Sequence, residues 1–125
     1  MTDRSILQPT VDHPITIEPT GGRVTVRVNG ELIADTREAL TLRESTYPAV
    51  QYVPLRDVAG DRLVPSNTAT YCPFKGDAGY YHVATQDGVV DDVIWEYREP
   101  YPAVSAIGGH VAFYPQKADI LVEQA

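Results

Sequence analysis

Cys72 and Lys75 are three residues apart in residues 71–76, which read Tyr-Cys-Pro-Phe-Lys-Gly. A thiol reacts as the thiolate, and a nearby ammonium group lowers its pKa. Pro73 and Gly76 favour a turn that brings Lys75 within reach of Cys72. One interpretation is therefore a cysteine nucleophile activated by Lys75. The other is a small buried cysteine, which is the commoner role of a free cysteine.

Glu44 ends a segment, residues 39–44, in which apolar and polar side chains alternate. If Leu40 and Leu42 face the core, a period of two puts Glu44 on the same face. A carboxylate there needs a partner or lies at the mouth of a cavity. We predict that Glu44 and Lys75 form a site for a polar or anionic ligand, and Cys72, Lys75 and Glu44 are the catalytic candidates. The alternative is a structural Lys–Glu pair that ties two loops together.

The chain has eight tyrosines but only two phenylalanines and one tryptophan. Tyrosine combines apolar bulk with a polar tip, which suits pocket walls and interfaces. We assign Tyr47, Tyr52 and Tyr71 to the ligand site because they flank the two segments above. Gly76 joins them because glycine allows the backbone to approach a ligand closely. The remaining tyrosines are expected at half-buried positions with wet hydroxyl groups.

Charge and ligand spacing argue against several classes of function. The net charge is −7 and the sequence pI is 4.7, whereas a nucleic-acid-binding protein presents a basic face. His13, His82 and His110 lack metal-ligand spacing, and one cysteine cannot form a four-thiolate zinc site. We therefore expect no nucleic-acid partner, no metal and no cofactor.

The elements that must position these residues are β-strands. Ten prolines and nine glycines interrupt short apolar runs and leave little room for a long helix. Residues 23–28 alternate strictly, and Asn29-Gly30 after them is a strong hairpin signal. A second hairpin is predicted over residues 79–97, with Asp87-Gly88 in its turn. The predicted fold is all-β, with one or two short helical turns at residues 54–58 and 102–107.

Length and composition predict one cytoplasmic domain. A chain of 125 residues is of single-domain size, and we divide it into a mobile tail (residues 1–12) and one all-β domain (residues 13–125). The amino terminus lacks the apolar run of a signal peptide, and no stretch is long and apolar enough for a spanning helix. The single cysteine fits a reducing compartment. We expect no membrane association.

Several segments, in this order, resemble domain-of-unknown-function family 427, small proteins found mainly in bacteria and fungi. The resemblance covers roughly residues 14–123 and is carried by residues 28–30, 33–35, 42–48, 71–76, 95–97 with Pro100, and 111–115. It implies a tent-like (Mss4-like) arrangement, in which two antiparallel sheets meet along one edge. Many relatives in that fold group hold zinc with two pairs of cysteines, which this chain cannot do.

The family also carries a nucleotidyltransferase label. Such enzymes use Gly-Ser followed by Asp-x-Asp to hold metal and triphosphate, and the chain lacks this pattern. We therefore predict a small-molecule-binding domain, with catalysis left open. The alternative is a non-catalytic protein-interaction module that forms a homodimer through a tyrosine-rich face.

Overall fold

The protein, described over residues 5–124 by a computed structural model, folds into ten β-strands in two antiparallel sheets. The larger sheet has the order β1-β4-β5-β9-β8-β7-β6, and the smaller one has the order β10-β2-β3. The strands are β1 (Ile15–Pro19), β2 (Gly22–Val28), β3 (Glu31–Thr36), β4 (Leu40–Glu44), β5 (Val50–Pro54), β6 (Leu63–Cys72), β7 (Gly76–Thr85), β8 (Gly88–Glu96), β9 (His110–Phe113) and β10 (Asp119–Gln124). The predicted all-β, two-sheet fold is confirmed.

The first predicted hairpin is formed by β2 and β3. Asn29 and Gly30 have φ values of 50° and 80°, which is the left-handed pair that a two-residue hairpin turn requires. The three valines of β2 (Val24, Val26 and Val28) are buried, as the alternation predicts. The turn pairs Val28 with Glu31, and the register of the hairpin shifts between Val26 and Arg27.

The second hairpin is formed by β7 and β8, but its turn lies one residue earlier than predicted. Gln86 and Asp87 occupy the turn, and Gly88 already pairs with Thr85 as the first residue of β8. Gly88 has a φ of 116°, so it serves as the glycine that closes the turn. Strand β7 also begins at Gly76, earlier than residue 79.

Strand β6 is an edge strand that the sequence pattern did not predict. It pairs with β7, and its register shifts between Pro65 and Ala69. Proline lacks the N–H that an inner strand must donate, so it is tolerated at an edge or a bulge. Because β6 leads directly into residues 71–76, it fixes where that turn emerges.

Two hydrophobic clusters lie on opposite faces of the larger sheet. The first fills the space between the two sheets and includes Val26, Val53 and Ile94. The second lies on the other face, where Tyr52 and Tyr97 belong to it. The smaller sheet covers the first face, whereas the second face is covered mainly by the 3-10 turn Pro102–Ile107.

Helical structure within residues 5–124 is limited to 3-10 turns at Leu55–Asp57, Gly60–Arg62 and Pro102–Ile107. The first and third confirm the predicted helical turns, although Pro54 belongs to β5. Val104 and Ile107 of the third turn are fully buried and pack onto the second cluster. Within this part of the chain, no helix has the length and apolar character needed to cross a membrane.

Residues 1–4 of the predicted tail lie outside the described residues. Residues 5–12 form no strand, and the Leu7 backbone N–H donates a hydrogen bond of 2.9 Å to the Pro73 carbonyl. The division into a mobile tail and one domain stays a prediction.

Candidate functional site

Glu44 and Lys75, which are 31 residues apart in the sequence, meet at one end of a pocket. The Lys75 ammonium group donates a hydrogen bond to Glu44 Oε1, and its Nζ atom lies 3.9 Å from Cys72 Sγ. The two charged side chains are only 8% and 13% exposed. The three catalytic candidates therefore lie together, with Lys75 between the other two.

The turn between β6 and β7 holds Lys75 in place from both sides. The Lys75 backbone N–H donates to the Cys72 carbonyl (3.1 Å), and the Lys75 carbonyl accepts from the Tyr101 N–H (3.0 Å). Gly76 has a φ of 112°, and a Cβ atom there would lie 3.4 Å from the Glu99 carbonyl oxygen. A glycine at this position therefore lets the turn close against the loop that follows β8.

His13 completes the polar cluster, and sequence reasoning did not assign it to the site. Its Nε2 atom lies 2.8 Å from Glu44 Oε2, and its ring stacks on Phe74 with the centroids 4.2 Å apart. One carboxylate thus joins Lys75 on one oxygen and His13 on the other. No local spacing signals this contact, because His13 precedes β1 and Glu44 ends β4, the strand paired with it.

The pKa of the Glu44 carboxyl group is lowered. Burial is the largest single influence and raises this pKa, but the hydrogen bonds and the electrostatic attraction of Lys75 and His13 together outweigh it. Glu44 is therefore a carboxylate at neutral pH, which makes it an acceptor for Lys75 and His13.

The pocket beside this cluster has a volume of about 300 Å³. Aromatic side chains from four parts of the chain form much of its wall. The lining residues are Leu42, Glu44, Tyr47, Pro48, Val50, Tyr52, Lys75, Tyr80, Trp95, Tyr97 and Tyr114. Four of the six residues predicted for ligand binding are among them, namely Glu44, Tyr47, Tyr52 and Lys75.

The aromatic wall is packed rather than loose. Trp95 contacts Tyr52 edge to face at 6.4 Å and Tyr114 at 4.5 Å between ring centroids. Burial raises the pKa values of the Tyr52 and Tyr97 hydroxyl groups well above their usual range. Both hydroxyl groups are therefore neutral and can donate hydrogen bonds.

Tyr71 and Gly76, the other two predicted ligand residues, do not line this pocket. The Tyr71 hydroxyl group donates to the Ser5 carbonyl (2.7 Å) and lies 2.8 Å from the Tyr101 hydroxyl group. Tyr71 thus holds the amino-terminal segment and the loop around Tyr101 together. Their ligand-binding role stays a prediction.

The sequence contains a signal for some of the pocket residues that were not predicted. Trp95 and Tyr97 have the same parity on the second hairpin, so both belong to one face of β8 and its extension. Tyr80 lies on β7 next to β8, because it pairs directly with Trp95. Tyr114 follows the end of β9 and has the parity of Ala112, which belongs to the second cluster, so the same signal extends to Tyr114.

The groups in contact here can bind charge and exchange protons. Cys72 is a free, half-buried thiol next to an ammonium group. Across residues 5–124, no cluster of three or more His, Cys, Asp or Glu side chains is arranged to hold a metal ion.

The fold and the site define a small all-β domain with a tyrosine-rich pocket on the open face of its larger sheet. A family model described as "Domain of unknown function (DUF427)" matches residues 16–124, which is most of the chain. The chain belongs to this family, so the resemblance in the sequence is confirmed. No curated protein matches the chain.

Proposed function

We propose that this protein binds a small molecule in the tyrosine-rich pocket, with a polar or anionic head group at Lys75. The observation that supports this proposal best is a lysine ammonium group that is 8% exposed and lines a cavity of about 300 Å³. Pockets of this size with a few convergent polar groups are the usual form of a small-molecule site.

The ammonium group retains capacity for a ligand. It has three N–H donors, and its contacts within residues 5–124 are Glu44 Oε1 and, at 3.9 Å, Cys72 Sγ. A head group that accepts a hydrogen bond can therefore add to the Glu44 contact without replacing it. Because the ammonium group is shielded from water, such a charge-assisted hydrogen bond is stronger than one at the surface.

The rest of the pocket favours a planar, apolar body. Trp95 and Tyr114 line the pocket and are half-buried, and aromatic side chains of this kind pack well against another ring. The neutral hydroxyl groups of Tyr52 and Tyr97 supply further donors. An aryl carboxylate combines these features, and we use benzoate as the probe.

A purely structural Lys–Glu pair explains less of this arrangement. A buried ion pair stabilises a fold little more than apolar side chains of similar volume do. Placing such a pair in the wall of a cavity adds exposure to solvent without improving the packing. A ligand accounts for both the pair and the cavity.

Benzoate titration followed by amide NMR shifts tests the proposal. We expect millimolar binding by the wild type and at least tenfold weaker binding by Lys75→Met. Lys117→Met is the matched control, because it removes the same charge at an exposed residue outside the pocket. Equal binding of benzoate by the wild type and by Lys75→Met, measured at a temperature at which both are folded, would overturn the proposal.

The same groups are our candidates for catalysis. Lys75 and Glu44 line the pocket and would act as ammonium donor and base, whereas Cys72, the candidate nucleophile, does not line it and lies 3.9 Å from Lys75 Nζ. We also propose the cytoplasm as the location, because the single free cysteine suits a reducing compartment.

The alternative, a homodimeric interaction module with a tyrosine-rich interface, receives less support. Of the eight tyrosines, only Tyr47 is exposed, and the others are buried or half-buried. A tyrosine-rich interface would need several of them at the surface. Size-exclusion chromatography with light scattering measures the oligomeric state directly.

A further inference from the structure

A second cavity of about 440 Å³ adjoins the tyrosine-rich pocket. We call it the apolar groove. It runs from the loop between β4 and β5 to β10 of the smaller sheet, and its walls include Ala49, Phe113, Pro115, Ile120 and Val122. Gln51 is the one residue with a side-chain amide in this lining, which is otherwise apolar or aromatic.

The groove and the pocket share a wall made by Tyr47, Pro48, Val50 and Trp95. Tyr47 is 63% exposed, and Pro48 is exposed as well, so the top of this wall faces solvent. A molecule anchored at Lys75 can therefore extend over the wall into the groove, where Phe113, Ile120 and Val122 belong to the first cluster or pack against it.

We infer that the ligand is amphipathic, with an anionic head at Lys75, a planar middle in the tyrosine-rich pocket and an apolar chain in the groove. This inference rests on the proposed function and adds the class of ligand. It follows from two adjoining cavities with different chemistry, one lined by Lys75, Glu44 and five tyrosines, the other mainly by aliphatic and aromatic side chains.

The size of the groove favours a chain of the same molecule over a protein partner. Each cavity by itself lies within the range of small-molecule sites, which is roughly 300–1,000 Å³. A stable protein interface instead buries roughly 800 Å² on each partner. A concave groove lined by ten residues offers much less surface than that, because a standard interface takes roughly 20 to 30 residues from each partner.

A series of 4-alkylbenzoates (benzoate, 4-butylbenzoate and 4-hexylbenzoate) tests the inference by isothermal titration. Burial of each methylene group raises affinity about fourfold when the chain lies fully in the groove. We therefore expect the Kd of the wild type to fall steeply along the series, while benzoate itself defines the contribution of the head and ring.

Two variants separate the groove from the pocket. Val122→Asp puts a charge into the groove, and Leu121→Asp puts the same charge on the neighbouring residue of β10, which is 54% exposed and does not line the groove. We expect the Kd of Val122→Asp to be independent of the alkyl chain length of the benzoate. In Leu121→Asp the Kd should still fall as the alkyl chain lengthens. Both variants should bind benzoate like the wild type.

Val122 is half-buried, so a second blocking variant guards against unfolding. Ala49→Trp fills the groove from an exposed loop residue and should remove the dependence on chain length at an unchanged melting temperature. If the wild type shows no chain-length dependence while benzoate binding still requires Lys75, the inference is wrong and the proposed function stands. If Lys75→Met binds benzoate as well as the wild type does, the proposed function itself fails.

Two further outcomes would overturn the inference. One is equal loss of chain-length dependence in Leu121→Asp and Val122→Asp, which would indicate binding outside the groove. The other is a wild-type dimer that Val122→Asp dissociates and Leu121→Asp does not, because a second copy would then cover the groove.

Discussion

The two faces of the larger sheet differ in what covers them, although neighbouring residues of the same strands build both. Val53 and Ile94 face the smaller sheet and are fully buried among aliphatic side chains. Tyr52 and Trp95, each adjacent to one of them in the sequence, face the other side and line the pocket. One face is closed by a whole sheet, whereas the other is closed by a single 3-10 turn and leaves room.

Because of this difference, one face of the larger sheet contributes mainly to stability and the other face is available for ligand binding. Aliphatic side chains that pack densely against a second sheet stabilise the folded state, but they offer no polar atom to a ligand. Tyrosine and tryptophan can pack just as well on one edge while a hydroxyl or indole N–H stays available.

Replacing Ile94 by Ala should lower the free energy of unfolding by about 3 kcal/mol, because it opens a cavity at a fully buried residue. Urea unfolding measures this loss. The matched variant is Trp95→Leu, which should cost less stability but weaken benzoate binding at least fivefold. If Ile94→Ala weakens binding by the folded protein as much as Trp95→Leu does, the two faces are not separate.

Replacing Lys75 by Met should cost about 2 kcal/mol of stability, because Glu44 then remains poorly exposed with His13 as its partner. The loss is smaller than for a completely buried pair, since His13 still contacts the carboxylate. Adding Glu44→Gln to this variant should restore at least half of the loss in urea unfolding. If the double variant recovers no stability, Lys75 and Glu44 do not contribute to stability as an energetically coupled pair.

The contribution of Glu44 to stability should depend on pH. The folded-state pKa of Glu44 is lower than its ordinary value of 4.5, so the folded state favours the ionised form. This contribution is complete above pH 4.5 and is lost as the pH falls through the lowered pKa. The difference in unfolding free energy between the wild type and Glu44→Gln should therefore shrink as the solution is acidified from pH 6.

Subtracting the Glu44→Gln curve is needed because other carboxyl groups titrate in the same range. The pKa of Asp92 is also lowered, by hydrogen bonds from the Ser66 and Thr68 hydroxyl groups. Asp92 is the same in both proteins, so its effect cancels. A difference that stays constant down to pH 3 would contradict the assigned role of Glu44.

The smallest effect is expected for Tyr80→Phe. The Tyr80 hydroxyl group lies 2.9 Å from Thr70 Oγ1 and 3.3 Å from the Tyr114 hydroxyl group, and both contacts are lost. Because Thr70 is exposed and water can replace the lost partner, the cost should be less than about 1 kcal/mol. The ring remains, so benzoate affinity should change less than threefold. A larger change would show that this hydroxyl group contacts the ligand.

Local sequence patterns were sufficient for the elements that depend on local backbone geometry. Asn29-Gly30 requires two positive φ values in succession, which few other residue pairs adopt easily. The face of the sheet on which Glu44 lies also followed from strand parity, because Leu40 and Leu42 place that face toward the second cluster. Parity is reliable here because β4 has no bulge. The contact of Glu44 with Lys75 is a long-range one that parity does not determine.

Strand β6 and the contact of His13 with Glu44 were not predictable from local patterns. Pro65 and the polar residues after it resemble a loop, and only pairing with β7 makes them a strand. His13 reaches Glu44 because β1 pairs with β4 in one particular register, and register is a property of the whole sheet.

The single tryptophan has a practical consequence, because Trp95 lies in the wall shared by the pocket and the apolar groove. Indole fluorescence from this protein comes from one place, and that place adjoins both candidate cavities. A molecule that enters either one displaces water from the indole ring and shifts its emission. The tryptophan fluorescence of the unmodified protein can therefore report the binding of compounds to this face.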